Sequence, residues 1–309
     1  MTDIVLRTMR REDWAEVADL IYVSINYWYS SHGMGAKFKA GPGSTQLFCK
    51  VYEDLDPGCC FVAESTKTGR LAGSCFYHPR ETHVSLGIMN VHPVYFGLGV
   101  ARKLVQAIID VAESQNKPLR LVSSAMNLDS FSLYTRAGFV PRITYQDMLI
   151  SAPEQGIQCD NASAPRVRHA TPADLDGIIA IEQELGGIRR ERDHRYFLKN
   201  QDGIWHTSVI ESPSGAIDGY LTSITSPASA MLGPGIARTE DDTAALIASA
   251  LNAHPGRTYV TIIPMHCANL VKTLYGWEAR NCETHVHQAR GEWVAPTGIM
   301  LPTFMPETA

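Results

Sequence analysis

The sequence predicts an α/β protein built as two like domains in tandem, and three observations predict it. The 309-residue chain exceeds the size at which one core usually splits, which gives two domains of roughly 150 residues each. Short apolar, strand-like runs alternate with helical patterns along its whole length. The pattern then restarts: Val167-Arg-His-Ala-Thr-Pro-Ala-Asp-Leu echoes Leu6-Arg-Thr-Met-Arg-Arg-Glu-Asp-Trp, with Arg168 matching Arg7 and Asp174 matching Asp13. Later, Leu274-Tyr-Gly-Trp-Glu-Ala echoes Arg136-Ala-Gly-Phe-Val-Pro. A repeat of this length marks a duplicated unit. The Pro-, Gly-, Ser-, Asn- and Ala-rich stretch 151–165 reads as a linker, giving a first domain over 1–150 and a second over 166–309.

The elements of the first domain follow in order. Ile4–Thr8 is a short strand, and Arg11-Glu-Asp-Trp opens a helix carried by Val17, Leu20 and Ile21. Trp28, Tyr29, His32, Met34 and Phe38, punctuated by glycines, form a loop or broken helix that either walls a pocket or packs on a sheet. Residues 60–65 and 71–77 flank the turn-like Thr66-Lys-Thr-Gly69 as a hairpin. A strand over 83–91 precedes a helix over 100–114 with Val100, Leu104, Ile108 and Val111 on one stripe. A strand from Leu119 to Ser123, a helix from about Ser130 to Ala137 stopped by Gly138, and a strand near 142–150 complete the domain.

Composition narrows the function classes. Hydrophobic residues make up 45% and charged residues 19% of the chain, with a net charge of −5 and no Lys/Arg block. That balance offers no electrostatic footprint for nucleic acid or an anionic membrane. No apolar run reaches the length of a transmembrane span, and the first residues lack a signal-peptide pattern, so a cytoplasmic protein is expected. The seven cysteines lack CxxC pairing or zinc-ligand spacing. His285-Val-His287 alternates on one strand face with no third ligand in sight, so no metal is expected. Arg189, Arg190 and Arg192 read as a solvated helix start that could alternatively reach across to an acidic ligand.

The most informative segment is Ser85-Leu-Gly-Ile-Met-Asn-Val-His-Pro-Val-Tyr-Phe-Gly-Leu-Gly-Val-Ala101, a strand leading through a Pro-marked loop into glycines that open a helix. Unpaired N–H groups in a helix's first turn and the helix dipole attract phosphate, and glycine lets the backbone approach it. Gly87 interrupts the strand and suits a bulge.

These residues resemble the GNAT superfamily of acyl-CoA-dependent N-acyltransferases. The family's Arg/Gln-x-x-Gly-x-Gly/Ala loop is matched at Gly99 and Ala101, with Gly97 as a frequent extra glycine; Phe96 departs from the pattern. Asn127-Leu-Asp-Ser-Phe-Ser-Leu-Tyr134-Thr-Arg-Ala-Gly138-Phe139 fits the family's Asn, Ala/Ser, Tyr and Gly-Phe positions at full spacing. The resemblance implies two domains, each a mixed, mostly antiparallel sheet flanked by helices, and acetyl-CoA or another acyl-CoA as co-substrate. It places Phe96, Gly97, Leu98, Gly99, Val100, Ala101 and Arg102 around the diphosphate and Asn127 and Ser130 beside the CoA arm. Amides near Met89 and Val91 would be pantetheine and oxyanion donors, and Tyr134 the acid for the departing thiolate. The usual strand glutamate is missing. Counting back leaves Ser85 and His83, with His83 the candidate base and the remoter Glu81 behind it.

Aligning Gly276 with Gly138 puts Met265, Ala268 and Lys272 opposite Asn127, Ser130 and Tyr134. Gly233-Pro-Gly235 only superficially imitates the loop, because the next helix opens at Thr239 with three acids that would repel a diphosphate. The second domain therefore reads as a degenerate copy that shapes the substrate site or mediates assembly. The expected activity is acyl transfer, most simply acetyl transfer, to a small-molecule amine, with a homodimer left open. The alternatives are a non-catalytic acyl-CoA sensor or scaffold, and a GNAT-like fold with other acyl-CoA chemistry.

Overall fold

A computed structural model describes residues 3–308. The first half contains β1 (Ile4–Thr8), α1 (Trp14–Ser31), α2 (Gln46–Leu55), β2 (Cys60–Ser65), β3 (Leu71–Pro79), β4 (Val84–Val91), α3 (Val100–Ser114), β5 (Leu119–Ser124), α4 (Leu128–Arg136) and β6 (Val140–Ser151). The second repeats that order as β7 (Val167–His169), α5 (Leu175–Gly186), α6 (Glu191–Lys199), β8 (Trp205–Glu211), β9 (Ile217–Thr225), β10 (Ala230–Ala237), α7 (Glu240–Asn252), β11 (Thr258–Pro264), α8 (Ala268–Gly276) and β12 (Arg280–Arg290). A short β13 (Ile299–Leu301) follows. Between Ser151 and the turn at Ala164 the chain has neither helix nor strand.

All strands join one mixed, mostly antiparallel sheet in the order β1-β2-β3-β4-β5-β12-β6-β11-β10-β9-β8-β7, with β13 beside β10. The order departs from the contiguous domains that the sequence suggests. The last strand of each half has crossed over: β12 lies against β5, with Ser124 opposite His285, and β6 lies against β11, with Ile150 opposite Tyr259. The two exchanged strands also pair with each other through the middle of the sheet. Each half thus completes the other's sheet, and each exchange removes an edge that would otherwise expose unpaired backbone groups.

The elements form for local reasons. Leu104, Val105, Ile108 and Ile109 of α3 are buried against Val84, Leu86 and Leu119 of the sheet, as their 3.6-residue spacing requires. Arg7 clamps Asp13 at 2.6 Å, and Arg168 clamps Asp174 at the same distance in the second half, so the repeated Arg–Asp pair fixes the same strand-to-helix turn twice.

Parallel pairs open a cleft in each half. β4 and β5 pair only at Val84–Leu119 and Ser85–Arg120, then diverge. The β3–β4 register shifts between Cys75–Met89 and Tyr77–Leu86, so Gly87 and Ile88 oppose Phe76 as a bulge, where Gly87 was expected to make one. β10 and β11 likewise pair at Met231–Val260 and Leu232–Thr261 and then separate. There the resemblance between the clefts ends, because β13 fills the second by pairing with Gly235, Ile236 and Ala237 of β10.

The repeat is displaced from the alignment drawn on Gly276. Phe139 N–H donates to the Tyr134 carbonyl after α4, and Ala279 N–H donates to the Leu274 carbonyl after α8. Gly138 and Glu278 both have positive φ, 89° and 64°. The correct partners of Asn127, Ser130 and Tyr134 are therefore Cys267, Leu270 and Leu274, two residues later than Met265, Ala268 and Lys272. A glutamate holds the left-handed position that normally favours glycine, and that misled the alignment.

Candidate active site

The first half's cleft opens at the start of α3. Gly97 and Gly99 have φ of 75° and 77°, and Gly99 is the N-cap, so both hold a left-handed backbone that a side chain would strain. The first-turn amides at Val100, Ala101 and Arg102 have no partner within the helix. No acidic side chain occupies that turn, unlike α7, where Thr239 accepts from Asp242 N–H and Glu240, Asp241 and Asp242 crowd the N-terminus. Phe96 and Leu98 are about half exposed at 47% and 49%, and the Phe96 ring meets Tyr27 edge-on at 5.9 Å.

Beyond the loop, the gap between β4 and β5 widens into a cavity of about 370 Å³. Leu86 to Met89 form one wall, Leu121 to Ser124 the other, and Tyr134 projects in from α4. Tyr134 is buried and braced edge-on by Phe139. Burial drives its hydroxyl well above the ordinary range, so it is a proton donor at neutral pH. Asn127 caps α4, its Oδ1 accepting from Ser130 N–H at 3.1 Å. Tyr29, Lys37 and Phe38 of the aromatic segment line the cavity, which makes that segment a pocket wall.

His83 and Ser85, the expected base candidates, do not line this cavity. Both are fully buried, Ser85 where β4 and β5 are still paired and His83 just before β4 begins, and the gap opens only beyond Ser85. His83 Nε2 lies 3.1 Å from the Thr308 carbonyl, and burial followed by the Arg120 charge pushes the imidazole well below its ordinary range. Arg190, read as solvated, is 1% exposed and binds Glu182 and Thr308. Arg192 crosses to Asp56 at 2.9 Å.

The titratable groups inside the cavity come instead from the exchanged strands. Asp147 of β6 and Glu283 and His285 of β12 are all buried and line it, and one ligand-type atom from each lies within 4.8 Å of the others. Asp147 Oδ1 accepts from His285 Nδ1 at 2.8 Å. Burial raises the Asp147 carboxyl, and the His285 hydrogen bond opposes that rise. Glu283 accepts from Tyr29 at 2.8 Å, Ser124 at 2.7 Å and Lys37 at 3.2 Å. His287, two residues on, is absent from the group: burial lowers its imidazole to about 3. Sequence reasoning missed Asp147 and Glu283 because nothing local reveals that β12 sits beside β5. The C-terminal segment closes the cavity with Phe304, whose ring lies 4.5 Å from that of His285, and with Glu307, whose carboxyl burial raises.

A glycine-opened helix terminus leading into a split parallel pair, with a protonated tyrosine inside, defines an α/β protein with a cleft between two strands of its sheet. Comparison gives the family. Residues 26–139 match the model of the acetyltransferase (GNAT) family, and residues 178–291 match that of an acetyltransferase (GNAT) domain. The chain belongs to the GNAT family as two domains in tandem.

Similar structures show the same architecture at low identity. A candidate acetyltransferase of Pyrococcus horikoshii matches with a TM-score of 0.75 and 13% identity over 99% of this chain and 96% of that one. A GCN5-related N-acetyltransferase of Sphaerobacter thermophilus gives 0.64 and 14% over 96% and 99%. A tandem GNAT protein from the clavulanic acid biosynthesis pathway gives 0.60 and 15% over 94% and 100%. The UPF0157 protein YqkA of Bacillus subtilis (strain 168) is 36% identical over 73 residues, which are 24% of this chain and only 21% of that protein. No helix among the described residues is long and apolar enough to cross a membrane.

Proposed function

We propose that this protein transfers an acyl group, acetyl in the simplest case, from acyl-CoA to the amine of a small molecule. The observation that carries this reading is the continuity of the glycine loop, the β4–β5 gap and Tyr134 in one half only. The residues fit the co-substrate: exposed loop amides meet the diphosphate, and unpaired edges of β4 and β5 suit an amide-bearing arm. Acyl-CoA supplies the activated thioester. Asn127, with its carbonyl oxygen committed to the α4 cap, retains its amide N–H groups for the arm. Amides of the bulged β4 near Met89 stand where charge develops on the carbonyl oxygen. As the C–N bond forms and the C–S bond breaks, the Tyr134 hydroxyl protonates the departing sulfur. The cavity favours a compact acceptor, because about 370 Å³ must hold both the acyl end and the amine.

The test is Tyr134→Phe, with acetyl-CoA affinity measured by calorimetry and thiol release by a colorimetric assay over a panel of small amines. Retained affinity with kcat reduced at least about tenfold is expected. Unchanged turnover removes Tyr134 from its role. Tight acetyl-CoA binding by the unaltered protein with no thiol released from any amine favours a sensor instead.

A further inference from the structure

We infer that the acceptor amine is bound and deprotonated by the two exchanged strands: Glu283 receives it as an ammonium, and His285 takes its proton. The inference rests on the acyl-transfer reading above and adds to it the missing base and the charge of the acceptor.

The geometry is specific. His285 is 6% exposed, so its ring is held by packing against Phe304 and by the hydrogen bond to Asp147. A carboxylate can only accept, so Asp147 fixes the proton on Nδ1 and leaves Nε2 with its lone pair toward the cavity. Nε2 lies 4.0 Å from Glu283 Oε1. Two acceptors at that spacing can each take a hydrogen bond of ordinary length from one nitrogen placed between them. An ammonium, which donates several N–H bonds and carries the charge complementary to the Glu283 carboxylate, suits such a position, and an acceptor-only anion does not.

The surroundings support the assignment. Glu283 is held by Tyr29 of α1, Ser124 of β5 and Lys37 of the segment after α1, so its oxygens are fixed by three elements. Lys37 already brings an ammonium to this carboxylate, 3.2 Å away, from a side chain 38% exposed and seated over the Tyr29 ring. A partly solvated cation on a buried carboxylate marks a place where a ligand's cation can sit. Tyr134 lines the same cavity, which puts the sulfur's acid and the amine's base at one reaction centre. The proton balance closes: the ammonium gives one proton to His285 Nε2 before attack, and Asp147 and Glu283 stabilise the imidazolium. Tyr134 supplies the sulfur's proton; the second proton lost from nitrogen and the one held on His285 pass to solvent, one is returned to Tyr134, and each turnover releases one proton net.

The other titratable groups lining the cavity with His285 are Glu283 and Cys282 on its own strand, Asp147 on β6, Tyr29 on α1, Lys37 on the segment after α1, Tyr134 on α4 and Glu307 on the C-terminal segment. Glu307 is the rival base, since it lines the cavity too. The experiment uses the full chain and the variants His285→Gln, Glu283→Gln and Glu307→Gln, with ethylenediamine, histamine and glucosamine as probe amines. Thiol release is followed across pH 5–9, and amine binding to the CoA-saturated protein is followed by calorimetry.

His285→Gln is expected to lower kcat at least a hundredfold and flatten the acid limb of the pH profile, with acetyl-CoA affinity and Tm retained. Glu283→Gln is expected to raise the KM for amine at least tenfold with a smaller change in kcat. Loss of the acid limb in Glu307→Gln, with His285→Gln near wild-type activity, overturns the assignment. Amine binding that is lost in Glu283→Gln while no amine releases thiol from the unaltered protein supports the ammonium site and refutes the acyl-transfer reading alone. If no amine binds or turns over, both fail.

Discussion

Replacing Arg80 with Met should destabilise the protein more than any surface substitution, because Arg80 is where the two halves share buried charge. Its guanidinium, 1% exposed, donates to Asp56 at 2.8 and 2.9 Å and lies 2.6 Å from Asp193 on α6. Asp56 also takes His78 at 2.7 Å and Arg192 at 2.9 Å. The substitution leaves Asp56 two partners but strips Asp193 of its cation at full burial. Breaking a buried pair in this way costs about 3–5 kcal/mol. An unfolding entropy of roughly 2.1 cal/mol/K per residue makes that a drop in Tm of about 5–8 °C for a chain of this length. Urea denaturation followed by circular dichroism measures it. Asp193→Asn added to Arg80→Met should recover about 1–2 kcal/mol, since the orphaned charge is then removed. Acid reports the same network. Burial alone would raise Asp56, but His78 and Arg80 hold it at about 2 against an ordinary 3.8. A lowered folded pKa gives stability that is complete above the ordinary value and lost as pH falls from about 4 to 2, worth about 2 kcal/mol. A cost for Arg80→Met below about 1 kcal/mol, or no recovery in the double variant, refutes the argument.

Two further substitutions probe the cleft. In Gly87→Ala the new Cβ would stand 2.8 Å from His78 Nε2 and 3.2 Å from the Phe76 carbonyl oxygen, so a loss of about 1–3 kcal/mol in urea denaturation is expected, with turnover falling further than stability. Phe96→Arg should tighten acetyl-CoA binding about three- to tenfold, and the gain should shrink in high salt, because the exposed Phe96 gives the loop no charge to set against a diphosphate; calorimetry at two salt concentrations decides it.

Much of the first half was legible because its signals are local. The helix period of α3, the hairpin of β2 and β3, the bulge glycine and the loop glycines each depend on a few neighbouring residues, and each lies where the sequence puts it. The base was not legible, for a physical reason. Ser85 sits on the correct strand and His83 just ahead of it, but the β4–β5 gap begins one residue after Ser85, so both are sealed away from the cavity. Asp147 and Glu283 are 136 residues apart in the chain, with only strand pairing to bring them together. Alternation showed His285 and His287 sharing a face but not that β12 crosses into the other half. Glu278 likewise hid the register of the repeat, since a positive φ at a non-glycine residue has no sequence signature.

The exchange of β6 and β12 also explains how the two copies can differ at the loop and the gap without the fold failing. The cradle depends on a few residues at the ends of elements. In the second half Leu274 stands for Tyr134, Cys267 for Asn127, three acids occupy the first turn of α7, and β13 fills the gap between β10 and β11. None of these changes touches the β5–β12, β12–β6 and β6–β11 ladders. Those ladders keep the second half in place, because losing β12 would expose an edge on β5 and remove Glu283 and His285 from the first half's cavity at once. Folding of each half and the composition of the first half's cavity are thus tied to the same two strands. A second half without the glycine-opened helix start is held in place here by geometry: it supplies the wall, the buried acid Glu283 and the imidazole of His285 to the first half's cavity.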